Sequence, residues 1–258
     1  MGHLSGFIGI FTLLFIAFLL SENKKNINIK TVSIGLTLQF MFAIFILKTP
    51  FGAPIFSFLD QAITTLISFS DSGANFLFTS YIDGVGFHPG LVNFAFKTLP
   101  TIIFFSSLVS VLYHFGVIQV IVKFIARSMQ KTMGTSGSET LSVSANIFVG
   151  QTEAPLLIKP FLDQMTKSEL LTIMVGGFAT IAGGVLAGYI SMGIPAGHLI
   201  AASVMSAPAA LVIGKIIYPE TEHSVTAGDV ALPEVHVGSN AIEAASNGIT
   251  DGMKLAVN

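Results

Sequence analysis

Long stretches without Asp, Glu, Lys or Arg alternate with short charged segments along this 258-residue chain. The stretches are Leu4–Leu20, Thr31–Leu47, Thr98–Val122 and Leu170–Gly214. An α-helix needs roughly 17–25 apolar residues to cross the hydrocarbon core of a bilayer. The last stretch has 45 residues, and a turn at Gly193-Ile194-Pro195 divides it into two spans. The pattern therefore predicts five membrane crossings.

The segment between the second and third predicted spans has a different pattern. In Pro54–Asp71, apolar side chains recur at helical spacing on one face and polar side chains occupy the other. Such an amphipathic helix is typical of the membrane interface rather than of a crossing. Ser72–Lys97 contains four glycines and a proline, which indicates an external connector.

Composition agrees with a membrane protein. The chain is 52% hydrophobic and 10% charged, whereas a soluble globular domain is about 25% charged. A net charge of −2 gives no basic patch for nucleic acid. The absence of cysteine excludes a disulfide framework, a thiolate metal site and a cysteine nucleophile.

Basic residues predict the orientation. They lie after the first span, after the third, before the fourth and after the fifth, as Lys24, Lys25, Lys30, Lys123, Arg127, Lys131, Lys159, Lys167 and Lys215. Five crossings place all four groups on one side, and cytoplasmic loops are enriched in Lys and Arg. We therefore expect a multi-pass protein of the cell membrane with its N-terminus outside. The first span is a retained helix, because it lacks a basic n-region and a cleavage site.

Thr140–Leu162 is apolar but cannot form a single span. Each apolar arm has about half the length of a crossing, and the polar run Gly150–Pro155 separates the arms. This pattern predicts a re-entrant hairpin that enters and leaves on the cytoplasmic face, with its tip near the bilayer midplane. Irregular backbone is tolerated at that depth only where it is buried in protein or lines a cavity.

Glu153 lies at the predicted tip, where a carboxylate costs roughly 2.5–3.5 kcal/mol on insertion scales. It is either a structural glutamate, protonated or paired with Gln151 or Thr152, or part of a binding or proton-coupling site. The concentration of hydrogen-bonding groups at the tip favours the binding role.

The fourth predicted span is rich in glycine. Gly184 and Gly188 form a G-x-x-x-G pair suited to close helix packing. The alternative is a helix broken at Thr180–Gly184, whose free carbonyls and Thr180 hydroxyl bind a small cation. The two interpretations are compatible.

Other candidate motifs are weaker. Gly134–Ser138 has the composition of a phosphate loop but no following lysine, so we expect a loop and a helix cap at Ser138. The six histidines show no metal-ligand spacing. A membrane hydrolase with Glu153 as general base lacks an identifiable nucleophile or metal.

The run Ser142–Pro155 resembles the first re-entrant hairpin of the concentrative nucleoside transporters, and the resemblance extends to Gly176–Gly188 and to Asn240–Asn258. It implies an all-α polytopic membrane protein, half of an inverted-repeat fold with a re-entrant hairpin and a broken transmembrane helix. It further implies a homotrimeric secondary transporter of the bacterial inner membrane, not an enzyme, that imports nucleosides such as uridine with Na+ or H+.

The resemblance also implies the site residues. The nucleobase is expected at Gln151, Thr152, Glu153 and Val185. The coupling ion is expected at Asn146, Val149, Thr180 and Ile181. Asn146 and Thr180 favour Na+ over H+, and no other cofactor is implied.

The same resemblance divides the chain into three parts. Residues 1–132 correspond to scaffold spans, the interfacial helix and the connector; residues 133–218 to the first transport repeat; and residues 219–258 to a linker and the start of the next span. Because the family has a second repeat, we expect an incomplete form or a split-protein half. A membrane assembly module that does not transport remains the alternative.

Overall fold

Helices dominate the fold. A computed structural model describes residues 2–50, 52–78, 80–82, 86–88, 94–151, 154–228 and 238–257. The α-helices are α1 (Gly2–Leu19), α2 (Ile29–Lys48), α3 (Gly52–Phe78), α4 (Leu99–His114), α5 (Val117–Met133), α6 (Gly137–Ala145), α7 (Lys167–Phe178), α8 (Gly183–Ser191), α9 (Ala196–Ile217) and α10 (Ala241–Val257). Two short strands, β1 (Ser80–Ile82) and β2 (Gly86–His88), pair antiparallel. Shorter helical turns cover Lys24–Asn26, Phe94–Thr98 and Ala154–Gln164.

Three segments of the described helices are long and apolar enough to cross a membrane. They are Ile29–Ile46, Phe96–His114 and Ala196–Ile217, and α1 contains a shorter apolar segment, Gly6–Leu19. The aromatic side chains of α1 are exposed, with Phe11 at 70% and Phe15 at 60%. Exposure of large apolar side chains along a whole helix suits contact with lipid rather than water.

The third predicted span, Thr98–Val122, corresponds to the apolar segment Phe96–His114, but its predicted end is wrong. Helix α4 ends at His114, and α5 begins at Val117. The turn contains Gly116 with φ of 77°, a left-handed conformation that favours glycine. A stretch without charge therefore contains the end of one helix and the start of another.

Helix α3 is longer than the predicted interfacial helix Pro54–Asp71. It covers Gly52–Phe78, so the first residues of the predicted connector Ser72–Lys97 are helical. On its polar face, Asp60 Oδ1 accepts a hydrogen bond of 3.1 Å from the backbone N–H of Gly197. A carboxylate there also suits the positive end of the α9 dipole. The interfacial location of α3 stays a prediction.

The predicted break in the fourth span is present. Helix α7 ends at Phe178 and α8 begins at Gly183, with residues 179–182 outside both helices. Glycines allow neighbouring helices to approach closely: a Cβ atom at Gly188 would lie 3.3 Å from Thr98 Cγ2, and one at Gly248 would lie 2.7 Å from the Ser106 carbonyl oxygen. The second contact joins α10 to α4 through a Gly248-x-x-x-Gly252 pair that the sequence analysis missed.

The predicted hairpin consists of α6, a turn, and the 3₁₀ helix Ala154–Gln164, and its two arms pack on each other. Ile158 is fully buried between them and the neighbouring α5. The prediction of a helix cap at Ser138 is wrong: Ser136 precedes the helix, and its N–H donates a 2.8 Å hydrogen bond to Glu139 Oε1. The depth of the hairpin in a membrane stays a prediction.

Candidate functional site

One cavity of about 460 Å³ lies where the hairpin turn meets the break between α7 and α8. Its lining includes five of the residues predicted for the site: Val149, Gln151, Thr180, Ile181 and Val185. We call it the tip cavity. Thr152 and Glu153 lie outside the described residues.

Glycines in the broken helix bring it against the hairpin turn. A Cβ atom at Gly183 would overlap the Phe148 carbonyl oxygen, and one at Gly177 would lie 3.3 Å from Gln151 Cβ. The Gly183 N–H also donates to the Val149 carbonyl oxygen at 3.4 Å. The start of α8 therefore lies directly against the hairpin backbone. This close approach requires glycine at position 183, because no larger residue fits there.

Asn146 lies behind the cavity, at the end of α6. Its Nδ2 donates to the Gly176 carbonyl oxygen at 2.9 Å and to Thr180 Oγ1. Thr180 Oγ1 in turn donates to the Gly176 carbonyl oxygen at 2.6 Å. Asn146 is 3% exposed, and within the described part of the chain its Oδ1 atom has no hydrogen-bond partner. These contacts join the hairpin to the last turn of α7 and leave a buried amide oxygen free to accept.

Gln151 and Val185 line the tip cavity with different kinds of surface. Gln151 is exposed in the hairpin turn, and its amide offers both donors and an acceptor. Val185 lies in the first turn of α8 and contributes apolar surface. The tip cavity thus combines one side-chain amide, several hydroxyl groups and one carboxylate with apolar walls, as is typical of small-molecule sites.

Sequence reasoning missed the opposite wall of the tip cavity. Helices α4 and α10 supply Ser106, Val109, Ser110, Tyr113, Gly248, Asp251 and Leu255. No local signal marks these residues, because their place in the wall depends on the packing of α10 along α4.

A buried group of charges at the opposite end of the hairpin was also missed. Lys215 Nζ lies 2.8 Å from Glu139 Oε2 and 3.2 Å from Glu220 Oε2. The same nitrogen donates to Ser168 Oγ at 2.9 Å. Lys215 and Glu139 are 6% and 0% exposed, so this lysine is part of the protein interior rather than a surface charge.

Glu169 belongs to the same group, which we call the base cluster (Glu139, Glu169, Lys215 and Glu220). Its carboxylate accepts from the Thr166 N–H at 2.8 Å and from the Ser224 hydroxyl at 2.5 Å. Thr166 and Glu169 form a capping box, with the Glu169 N–H donating to Thr166 Oγ1 at 3.1 Å. The S/T-x-x-E spacing at Ser136 and Thr166 is the sequence signal that could have located two of these glutamates.

Three family models match successive parts of the chain. Residues 8–81 match the Na+ dependent nucleoside transporter N-terminus, and residues 95–196 match a nucleoside recognition (Gate) model. Residues 198–258 match the Na+ dependent nucleoside transporter C-terminus.

Curated relatives agree. The chain is 44% identical over 259 residues to sodium/nucleoside cotransporter 2 of Rattus norvegicus, covering 99% of this chain and 38% of the relative. It is 43% identical over 259 residues to an uncharacterized transporter of Bacillus subtilis, covering 100% of this chain and 63% of the relative. The chain therefore spans less than two thirds of the length of these relatives. They are transporters rather than enzymes, which favours the transporter over the assembly module.

Solved structures show the same fold. CNTnw in an inward-facing substrate-bound state superposes with a TM-score of 0.87 at 40% identity, covering 100% of this chain and 61% of that chain. A CNTnw variant in an outward-facing state gives a TM-score of 0.89 at 41% identity, with 98% and 61% covered. The family models, the relatives and the helical fold lead to one conclusion: this chain belongs to the concentrative, Na+ dependent nucleoside transporter family.

Proposed function

We propose that the chain takes part in Na+-coupled import of nucleosides and that the nucleobase binds in the tip cavity. The observation that supports this most strongly is the convergence of Val149, Gln151, Thr180, Ile181 and Val185 on one cavity of about 460 Å³. That volume is within the range of small-molecule sites, about 300–1,000 Å³.

Gln151 is the proposed base-recognition residue. An amide pairs with the edge of a nucleobase because both present a donor beside an acceptor. Val185 packs on the apolar face of the base, and Thr152 and Glu153 complete the polar contacts at the hairpin tip. In uridine these groups would face the carbonyl and N–H groups of the uracil ring.

The proposed Na+ site lies between the hairpin and the end of α7. Its ligands are the Asn146 side chain, the Val149 carbonyl, Thr180 and Ile181. The unpartnered Oδ1 atom of Asn146 is a buried acceptor that a cation would satisfy. Unwound backbone and the carbonyl end of a half-helix are common cation ligands in transporters.

The wider arrangement completes the proposal. Residues 133–218 form the first transport repeat, on the scaffold of residues 1–132, and residues 219–258 lead into the next span. The hairpin is re-entrant, with its tip near the midplane of a bacterial inner membrane and the N-terminus outside. The assembly is a homotrimer with an inverted-repeat fold.

Uptake of radiolabelled uridine by cells that lack their own nucleoside transporters tests this proposal on the complete gene product carrying this chain. We expect Na+-driven uptake, which Gln151→Ala abolishes. The matched control is Gln61→Ala, on an exposed position of α3, which should transport normally. Thr180→Val should weaken the dependence on Na+, whereas Thr180→Ser keeps the hydroxyl and should not. Normal uptake by Gln151→Ala would refute the base site, and absence of Na+-driven uridine uptake by the wild type would refute the function.

A further inference from the structure

Tyr113 contributes a buried hydroxyl group to the tip cavity. The side chain lies near the end of α4, is 8% exposed and lines the cavity. Of the described residues, none forms a hydrogen bond with its hydroxyl, which is itself buried. Buried hydroxyls in folded proteins nearly always have a partner, so one without a partner calls for a physical reason.

Hydrogen bonds hold the backbone at Tyr113, and apolar packing holds its ring. The Tyr113 carbonyl oxygen accepts from Gln119 Nε2 at 2.6 Å and from the Gly116 N–H at 3.0 Å. The ring packs in the apolar cluster that contains Ile118 and Val122. The ring is therefore held by packing, and its hydroxyl lies where no described residue forms a hydrogen bond with it.

Two other hydroxyls of the tip cavity, those of Ser110 and Thr180, differ from the Tyr113 hydroxyl because they are already satisfied. Ser110 Oγ donates to the Ala244 carbonyl oxygen at 2.7 Å, and Thr180 Oγ1 donates to the Gly176 carbonyl oxygen at 2.6 Å. In the wall formed by α4 and α10, the Ser110 hydroxyl thus has a partner within the protein, whereas the Tyr113 hydroxyl is left for an occupant of the cavity.

We infer that Tyr113 is a further substrate-positioning residue, whose hydroxyl forms a hydrogen bond with an oxygen atom of the bound nucleoside. The partner is a ribose hydroxyl or a carbonyl oxygen of the base, since a phenol donates to either. This inference rests on the proposed function, and it adds a contact from α4 to the contacts from the hairpin and α8.

The test compares Tyr113→Phe with Ser107→Ala in the purified complete gene product, because Ser107 lies on α4 outside the lining of the tip cavity and its hydroxyl donates to the Ala245 carbonyl oxygen at 3.1 Å. Uridine affinity is measured by isothermal titration in Na+, and stability without ligand by the fraction that stays monodisperse after heating. Tyr113→Phe should bind uridine about 5- to 30-fold more weakly, the range for one buried neutral hydrogen bond. Its stability without ligand should be equal to or higher than that of the wild type, because the change removes an unsatisfied group. Ser107→Ala should show the opposite pattern, with unchanged affinity and lower stability.

Analogues identify the partner atom. Uridine, 2′-deoxyuridine, 3′-deoxyuridine and 5′-deoxyuridine are titrated against wild type and Tyr113→Phe. If a ribose hydroxyl is the partner, the analogue that lacks it should bind the wild type weakly and lose nothing further in the variant. If Tyr113→Phe weakens the binding of uridine and of all three deoxy analogues by the same factor, the partner atom is a carbonyl oxygen of the base.

The outcomes separate this inference from the proposed function. If the wild type binds uridine and Tyr113→Phe binds it equally well, the inference fails and the proposed function stands. A variant that loses affinity and stability together, with no difference among the analogues, would make Tyr113 a packing residue and also overturn the inference. If the wild type does not bind uridine at all, the proposed function itself fails.

Discussion

The two ends of the hairpin differ in whether their buried polar groups are compensated by other groups of the protein. At the base, the Lys215 ammonium group pairs with the Glu139 and Glu220 carboxylates and donates to Ser168 Oγ, so the buried charges compensate each other, although Glu139 Oε2 has no directed hydrogen bond among the described residues. At the tip, the Asn146 Oδ1 and Tyr113 hydroxyl atoms are buried without a partner among the described residues. Buried charges that compensate each other within the protein fix a structure, whereas neutral groups with no partner at all favour the binding of a ligand that satisfies them.

This difference assigns separate roles to the two ends. The base cluster joins four segments: α6 through Glu139, α7 through Glu169, α9 through Lys215 and the following linker through Glu220. At the tip, the hydrogen bonds of Asn146 join the hairpin to the helix break, and α4 and α10 form the opposite wall of the cavity. We therefore expect changes at the base to reduce stability and changes at the tip to reduce binding and coupling.

Lys215→Met gives the largest expected effect. The substitution keeps the length of the side chain but leaves the Glu139 carboxylate buried without its cation. Removal of one partner from a buried ion pair costs about 3–5 kcal/mol. Thermal or denaturant unfolding in detergent should show a marked loss of stability.

The double variant Glu139→Gln/Lys215→Met is the control for that prediction. It removes both charges, so it should recover a large part of the lost stability. Equal stability of Lys215→Met and the wild type would show that the base cluster contributes nothing to the folded state. Additive losses in the double variant would show that the two charges do not interact.

The tip could be predicted from sequence because polar residues and glycines are conspicuous in apolar segments. Gln151 is a polar residue that interrupts an otherwise apolar stretch, and glycines mark the helix break after Phe178. Placing a polar residue inside a membrane segment costs free energy. The position of such a residue therefore indicates a site with a specific role. The same reasoning predicted the two arms of the hairpin.

The base and the far wall could not be predicted in that way. Lys215 has the position expected of an interfacial positive charge, and its burial depends on Glu139, which is distant in the sequence. Tyr113 lines the tip cavity only because α4 passes it. The end of α4 was missed because charge is absent on both sides of Gly116, and helix length was inferred from charge alone. Long-range packing decides the first two of these features, whereas the end of α4 depends on the local turn at Gly116.

Gly183→Ala is the next largest change, and it tests the tip. The added methyl would overlap the Phe148 carbonyl oxygen, which is backbone and cannot rotate away. Overpacking of this kind costs about 1–3 kcal/mol, and here the strain falls on the contact between α8 and the hairpin turn. Na+-driven uridine uptake should fall sharply, with a smaller loss of stability than in Lys215→Met.

Gly73→Ala is the matched control for Gly183→Ala. Gly73 lies within α3, and no atom lies within 4 Å of the position of its Cβ. Alanine is favoured over glycine in a helix interior by about 1 kcal/mol, so this variant should be slightly stabilised and should transport normally. Equal uptake by Gly183→Ala and Gly73→Ala would show that the close contact at the helix break is not needed.

Thr166→Ala gives the smallest expected effect and tests whether the base acts on stability alone. The Thr166 hydroxyl caps α7 by accepting from the Glu169 N–H, and it donates to Glu220 Oε2 at 2.8 Å. Loss of a cap costs about 1 kcal/mol, and Thr166→Ser, which keeps the hydroxyl, should lose less. Uridine KM and the Na+ dependence of uptake should stay at wild-type values in Thr166→Ala. A change in either value with no loss of stability would contradict the division of roles, because the base would then control the site at the other end of the hairpin.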